Sequence, residues 1–204
     1  MSNGANDPVA RARELSDAAG CVLADLTPAT LVAPYGELIS IGSHGAGLMA
    51  VRDIDFGVLC APLDHAPVFE IARQLFAHPC VRRVQVNDER PPYERTGRPE
   101  HEGIYCGIRY CEDARRDREW TIDLWFFPAA APRPEPPLRD RLLAASNEER
   151  ATILRLKHAL LSDGRYGTVI HGVDIYHAVL DRGHRSLGEV ERTVRDHQGA
   201  GGVA

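Results

Sequence analysis

Apolar residues recur along the chain first at intervals of three and four, then in alternation, and finally at three and four again, so helix, sheet and helix are expected in turn. Asp7-Pro8 supplies an N-cap and a proline at the first helical position, opening a helix over 8–19 that Gly20 stops. Thr27-Pro28 repeats the signal for a shorter helix ending before Pro34. Residues 38–41 read as a buried strand, 42–50 as a turn with one or two helical turns, and 53–60 as the next strand. Asp64 caps a helix over 66–77 with Val68, Ile71, Ala72 and Leu75 on one face, and His78-Pro79 ends it. Alternation predicts a strand over 81–86, and an antiparallel hairpin from 104–111 and 119–127 around the charged tip 112–118. Before that hairpin, 88–102 is a long polar loop holding Pro91, Pro92, Gly97 and Pro99.

Beyond the hairpin the pattern changes. Pro128, Pro132, Pro134, Pro136 and Pro137 mark a stiff, extended linker over 128–137, dividing a domain of 1–127 from a helical one of 138–197. Ser146 and Glu149 form a capping box for a helix to about 161, with Ile153, Leu156 and Leu160 as its apolar stripe. A second helix is expected over 168–182, stopped at Gly183, and Ser186 with Glu189 opens a last one to about 197. The fold class expected is α/β (α+β): a mixed sheet flanked by helices, followed by a C-terminal helical bundle.

The segment with chemistry in it is short. Gly42-Ser43 ends an apolar run, and ten residues later the chain reads Asp53-Ile54-Asp55-Phe56. A strand alternates its side chains, so Asp53 and Asp55 share a face. Two carboxylates side by side repel unless a cation lies between them, and hard oxygen ligands suit Mg²⁺. The Gly-Ser turn offers backbone N–H groups and a hydroxyl to phosphate oxygens. Trp120-Thr121-Ile122-Asp123-Leu124-Trp125 adds Asp123, an aspartate among bulky apolar neighbours where an unpaired charge is costly. A salt bridge to an arginine, or an edge strand facing water, would also accommodate it.

Gly-Ser, short helix, Asp-x-Asp strand and a hairpin with a lone aspartate resemble, over residues 36–127, the DNA polymerase β-type nucleotidyltransferase superfamily. The resemblance implies a nucleotidyltransferase sheet in which Gly42 and Ser43 bind the β and γ phosphates of a nucleoside triphosphate such as ATP. It further implies that Asp53 and Asp55 hold two Mg²⁺ ions, for which Mn²⁺ can substitute, and that Asp123 helps ligate one metal and activate the acceptor hydroxyl. Members often carry a serine just before the first aspartate; here it is Arg52, expected to face solvent rather than triphosphate.

The helical part adds three candidates. Lys157, the only lysine, shares a face with Leu154 and Leu161 beside the apolar stripe, so its stem can lie on packed surface while the ammonium reaches inward to triphosphate. Tyr166 follows Gly164 in a helix–helix turn and can stack on a base, and His44 directly follows the phosphate turn. A solvated lysine, a core-rim tyrosine and an ordinary histidine among nine are the plain alternatives.

Composition narrows the partners. At 204 residues and 44% hydrophobic the chain can bury a sizeable core. A formal net charge of −5 gives no global reason to bind nucleic acid, so no stable nucleic-acid partner is expected and a small hydroxylated acceptor is favoured. A toxin-type enzyme acting on RNA or protein, and a nucleotide-binding module without turnover, remain alternatives. Sugar-nucleotide transfer also uses Asp-x-Asp, but without the upstream Gly-Ser and the third strand aspartate. Five cysteines without paired metal spacing read as reduced thiols. No signal peptide or long apolar run is evident, so a soluble cytoplasmic protein is expected.

Overall fold

The computed structural model of the chain describes residues 7–92, 102–112, 118–130 and 136–200. The elements run α1 (Pro8–Leu26), α2 (Pro28–Val32), β1 (Gly36–Ile41), α3 (Gly42–Gly45), β2 (Asp53–Cys60), α4 (His65–Phe76), β3 (Val81–Asp88), β4 (Ile104–Tyr110), β5 (Trp120–Pro128), α5 (Pro136–Ala144), α6 (Asn147–Ser162), α7 (Gly172–Arg182) and α8 (Leu187–Ala200). The centre of the polar loop, the hairpin tip at 113–117 and the linker prolines 132 and 134 lie outside the described residues.

Among the described residues one mixed five-stranded sheet forms, in the order β1-β2-β5-β4-β3, giving the α+β class expected. Only β2 and β5 are parallel; the other neighbouring pairs are antiparallel. Period-two alternation gives this sheet two unlike faces. On one, Ile54, Phe56 and Val58 of β2, Ile122, Leu124 and Phe126 of β5, and Ile104, Cys106 and Ile108 of β4 pack against α1 and α4 in a single apolar cluster. On the other stand the even-spaced polar residues Asp53, Asp55, Thr121, Asp123, Tyr105 and Arg109.

The first helix is longer than the glycine at position 20 suggests. Leu15, Ala19, Val22 and Leu26 are all buried along one stripe of α1, while Gly20 is exposed with open space where a side chain would be. Burial of two further large residues outweighs the roughly 1 kcal/mol that an exposed helical glycine costs. The helix instead stops at Thr27, in the left-handed conformation at φ 45°.

A second apolar cluster joins α5, α6, α7 and α8 through Leu142, Ile153, Leu156, Leu160, Ile175, Val179 and Val190. Ala12 of α1 and Ala46 and Leu48, just after α3, belong to it as well. Arg150 of α6 strengthens that seam, donating to the carbonyls of Ala46 at 2.7 Å, Gly47 at 3.2 Å and Leu142 at 3.1 Å. The helical part is thereby pinned to the chain segment that follows the Gly-Ser turn.

The helix expected over 168–182 starts later, at Gly172. Gly164 and Gly167 adopt φ of +74° and +76°, which no right-handed helix contains, and Gly167 N–H closes onto Ile170 O at 2.9 Å. Asp174 accepts from His171 N–H at 2.8 Å and caps the delayed start. Among the described residues, no helix is long and apolar enough to cross a membrane.

Candidate active site

The parallel β2–β5 pair places Asp55 directly beside Asp123, and Asp53 beside Thr121. Neighbours in register put their side chains on the same face, so all three carboxylates converge there. One oxygen from each of Asp53, Asp55 and Asp123 lies within 4.8 Å of the others, and all three residues are half-buried. Burial, with the Asp123 charge second, pushes the Asp53 carboxyl up to about 6; Arg109 and Lys157 pull it the other way. Burial likewise raises Asp123, against a hydrogen bond from the Tyr105 hydroxyl and the charge of Arg109. Three hard oxygen donors, crowded and withdrawn from water, suit a divalent cation of the Mg²⁺ type, and none is a soft ligand.

The Gly-Ser turn abuts this cluster. Ile41 pairs with Asp55, and the chain then turns at Gly42 with φ +65°. A Cβ built on Gly42 would stand 2.4 Å from Asp55 Oδ2, so glycine is required here both by backbone conformation and by close approach. Ser43 follows in the four-residue helix α3, its carbonyl accepting from Leu48 N–H at 2.9 Å. His44 Nδ1 pairs with Ser40 Oγ at 3.1 Å and its ring sits edge-on to Phe56. Burial lowers the His44 pKa, favouring neutral imidazole. Gly42→Ala is expected to cost about 1–3 kcal/mol of stability from the left-handed backbone and the displaced Asp55. Chemical unfolding measures it; an unchanged midpoint would mean that Asp55 has room to move.

From the helical side, Lys157 is fully buried and donates to Leu48 O at 2.9 Å and to Tyr176 Oη at 2.7 Å. Its Nζ lies 4.7 Å from the Tyr176 ring centroid and 5.7 Å from that of Tyr166. Burial pulls its pKa down to about 7, against the charges of Asp55 and Asp53. Burial and the same two carboxylates raise that of Tyr166. Lys157 and Tyr166 thus stand within electrostatic range of the acids, although more than 100 residues separate them in sequence.

Arg52 occupies the opposite face, half-buried with its guanidinium 5.7 Å from the Trp120 ring centroid, neither turned to the carboxylates nor fully in solvent. Sequence reasoning passed over Tyr105, Arg109, Arg150 and Tyr176. Arg109 donates to Thr121 Oγ1 and lies 3.9 Å from Glu119, and it acts on Asp53 and Asp123 through charge. Its only signal in sequence is alternation with Tyr105 along β4, which becomes meaningful once β4 is known to lie beside β5.

A second cluster, Asp25, His78 and Cys80, also brings three ligand-type atoms within 4.8 Å. His78 Nδ1 accepts from Cys80 N–H at 3.2 Å, which places the ring proton on Nε2, 3.4 Å from Asp25 Oδ2. Tyr110 donates to the same oxygen at 2.6 Å. This is a hydrogen-bonded clasp between α1 and the sheet, with its donors and acceptors matched. All five cysteines are free thiols; Cys60, Cys106 and Cys111 are buried and Cys21 is exposed.

No family model matches the chain, and no curated protein matches it in sequence. Solved structures do match. A cytoplasmic RNA terminal U-transferase superposes with a TM-score of 0.57 at 15% identity, over 82% of this chain and 48% of its own. Cid1, described by its RNA terminal uridylyl transferase activity, gives 0.56 at 14% identity over 82% and 47%. Cid1 with its short product ApU gives 0.53 at 13% over 82% and 48%. The chain spans about half the length of these proteins. Likeness at such identity speaks to architecture. The chain shares the fold of these terminal uridylyl transferases, a fold of the kind that the resemblance over residues 36–127 implied.

Proposed function

We propose that the chain is a metal-dependent nucleotidyltransferase, moving a nucleoside monophosphate from a nucleoside triphosphate to a hydroxyl and releasing pyrophosphate. The observation that carries this reading is the convergence of Asp53, Asp55 and Asp123 within 4.8 Å, beside a left-handed glycine turn where a Cβ would stand 2.4 Å from Asp55 Oδ2. The nucleotidyltransferase fold supports it. In this reading Asp53 and Asp55 hold two Mg²⁺ ions, with Mn²⁺ as a substitute, and Asp123 completes the ligand set. Bound there, the metals supply charge neutralisation at the phosphates, the dominant need of phosphoryl and nucleotidyl transfer.

The chain's own groups divide the remaining work. Gly42 and Ser43 offer backbone N–H groups and a hydroxyl to the terminal phosphates. Asp123, raised in basicity by burial, accepts the acceptor's hydroxyl proton. Lys157 carries positive charge toward the triphosphate, and Tyr166 offers a ring face to the base. His44, favoured neutral and engaged with Ser40, donates to a phosphate only as neutral imidazole.

For the acceptor, the net charge of −5 and the absence of a basic stripe in the sequence favour a small hydroxylated molecule. The RNA 3′ end is the second reading, and the named activities of the terminal U-transferases of like fold favour it.

Thermal unfolding with each of the four ribonucleoside triphosphates, with and without Mg²⁺, tests the donor half. A donor at about 100 times its dissociation constant stabilises by about 2.7 kcal/mol. A Mg²⁺-dependent rise for at least one triphosphate is expected; no rise with any of them counts against the reading. Pyrophosphate release with oligoribonucleotides and with hydroxylated small molecules then separates the two acceptors. Binding without release in either case identifies a nucleotide-binding module.

A further inference from the structure

Asp123 sits opposite Gly107 in the β4–β5 pairing, and the residue opposite Tyr105 is Trp125. Even so, the Tyr105 hydroxyl donates to Asp123 Oδ1 at 2.9 Å. Diagonal neighbours in an antiparallel pair are about 7–8 Å apart, a span a tyrosine covers only by leaning along its own strand. Gly107 leaves the room for that lean. A Cβ at position 107 would stand 2.2 Å from the Tyr105 hydroxyl oxygen and 2.7 Å from the ring carbon bearing it. Trp125 braces the ring, with centroids 5.0 Å apart.

We infer that Tyr105 is a positioning residue for Asp123, and that Gly107 is glycine to keep its slot open. An aspartate side chain turns easily about its last bond, where the torsional profile is broad. A hydroxyl fixed on Oδ1 sets the carboxylate plane and leaves the other oxygen for a cation. This inference rests on the reading of Asp123 as the third metal carboxylate. The residues themselves fit the role: the hydrogen bond to Asp123 is made by the Tyr105 hydroxyl, and the Trp125 contact belongs to the ring.

Tyr105→Phe therefore separates positioning from packing, since it keeps the ring and removes the hydroxyl. Mn²⁺ is titrated by calorimetry into protein saturated with whichever triphosphate stabilises the wild type most, and kcat and KM are measured alongside. Outer ligand partners typically contribute about 10–100-fold to metal affinity or activity. The expected result is an apparent Mn²⁺ Kd weaker by about tenfold and kcat lower by a similar factor. The triphosphate KM and the unfolding midpoint stay at wild-type values.

Gly107→Ala should reproduce the Mn²⁺ defect by pushing the ring aside, and the double variant should be no worse than the poorer single one, because both remove the same bond. Should Gly107→Ala fail to fold, Tyr105→Phe decides alone. Wild-type Mn²⁺ affinity and kcat in Tyr105→Phe, or a loss confined to the midpoint, overturns the positioning role while leaving the proposed function standing. No Mn²⁺ binding by the wild type removes the metal site and this inference together.

Discussion

Asp53→Asn is expected to abolish nucleotidyl transfer, by at least about 10³-fold, and at the same time to make the metal-free protein more stable at neutral pH. The two effects share one cause. Asp53 is held near Asp123 in a half-buried site, and its pKa rises from 3.8 to about 6. Between those two values the native state keeps a proton that the unfolded chain has released. Native stability from this group therefore falls as pH rises through that window, and the full penalty remains above it. A shift of one pKa unit is about 1.4 kcal/mol, so the penalty at pH 7 is on the order of 3 kcal/mol.

Asparagine has nearly the same shape and no charge to desolvate, so the variant escapes the penalty. Unfolding in the presence of a chelator, at intervals from pH 4 to pH 8, should show the two proteins converging at the acid end. The variant should be the more stable one above about pH 6. Mg²⁺ with triphosphate should then stabilise only the wild type. A wild type that gains on the variant as pH rises through this range would mean that the Asp53 carboxylate is already paired with a cationic group, and that the acids form a structural ion pair.

Lys157 gives the second large effect, and two substitutions separate its roles. Its ammonium is fully buried and satisfies Leu48 O and Tyr176 Oη. Lys157→Ala removes a long stem from a packed seam and leaves both partners without their donor, at a cost of about 2–5 kcal/mol. Lys157→Met keeps most of the volume, and it also removes the expense of burying a charge. That expense is real at neutral pH and below: the folded pKa of about 7 lies under the ordinary 10.5, so stability from this group rises as pH climbs between those values.

The methionine variant is accordingly expected to fold with a stability within about 1–2 kcal/mol of the wild type. Triphosphate affinity in the same variant should drop by at least about tenfold, the equivalent of one buried charge interaction of about 1.4 kcal/mol. Calorimetric titration of triphosphate with Mg²⁺ reads it directly. Undiminished affinity in Lys157→Met would make the lysine a peg between α6 and the segment after α3, with no part in binding the donor.

Local signals in the sequence were enough to set the elements of the sheet. The β2 strand over 53–60 is visible in its alternation and flanking turns, and the capping boxes of α6 and α8 are seen in Ser-x-x-Glu spacing. They failed where a distant contact outweighed a local preference. Gly20 stopped a helix on paper, whereas Val22 and Leu26 carry α1 through it by burial against the sheet. A helix was expected from 168, whereas the N–H groups of Thr168, Val169 and Ile170 all turn back onto Arg165 O, so that α7 begins only at Gly172.

For the candidate site, the chain by itself determined which residue types were available and which of them share a face. Asp53 and Asp55 lie two apart on a strand, and Gly42 with Ser43 ends the strand before, and neither relation needs a fold to be seen. Strand order and register are set by long-range pairing that no local window contains. Only the tertiary structure decided that β5 runs parallel beside β2, that Asp123 stands level with Asp55, and that the register of the expected β4–β5 hairpin brings Tyr105 and Arg109 to that face. The burial that shifts the pKa values of Asp53, Asp123 and Lys157 is likewise a property of packing, because desolvation depends on what surrounds a charge in space and not on its neighbours along the chain.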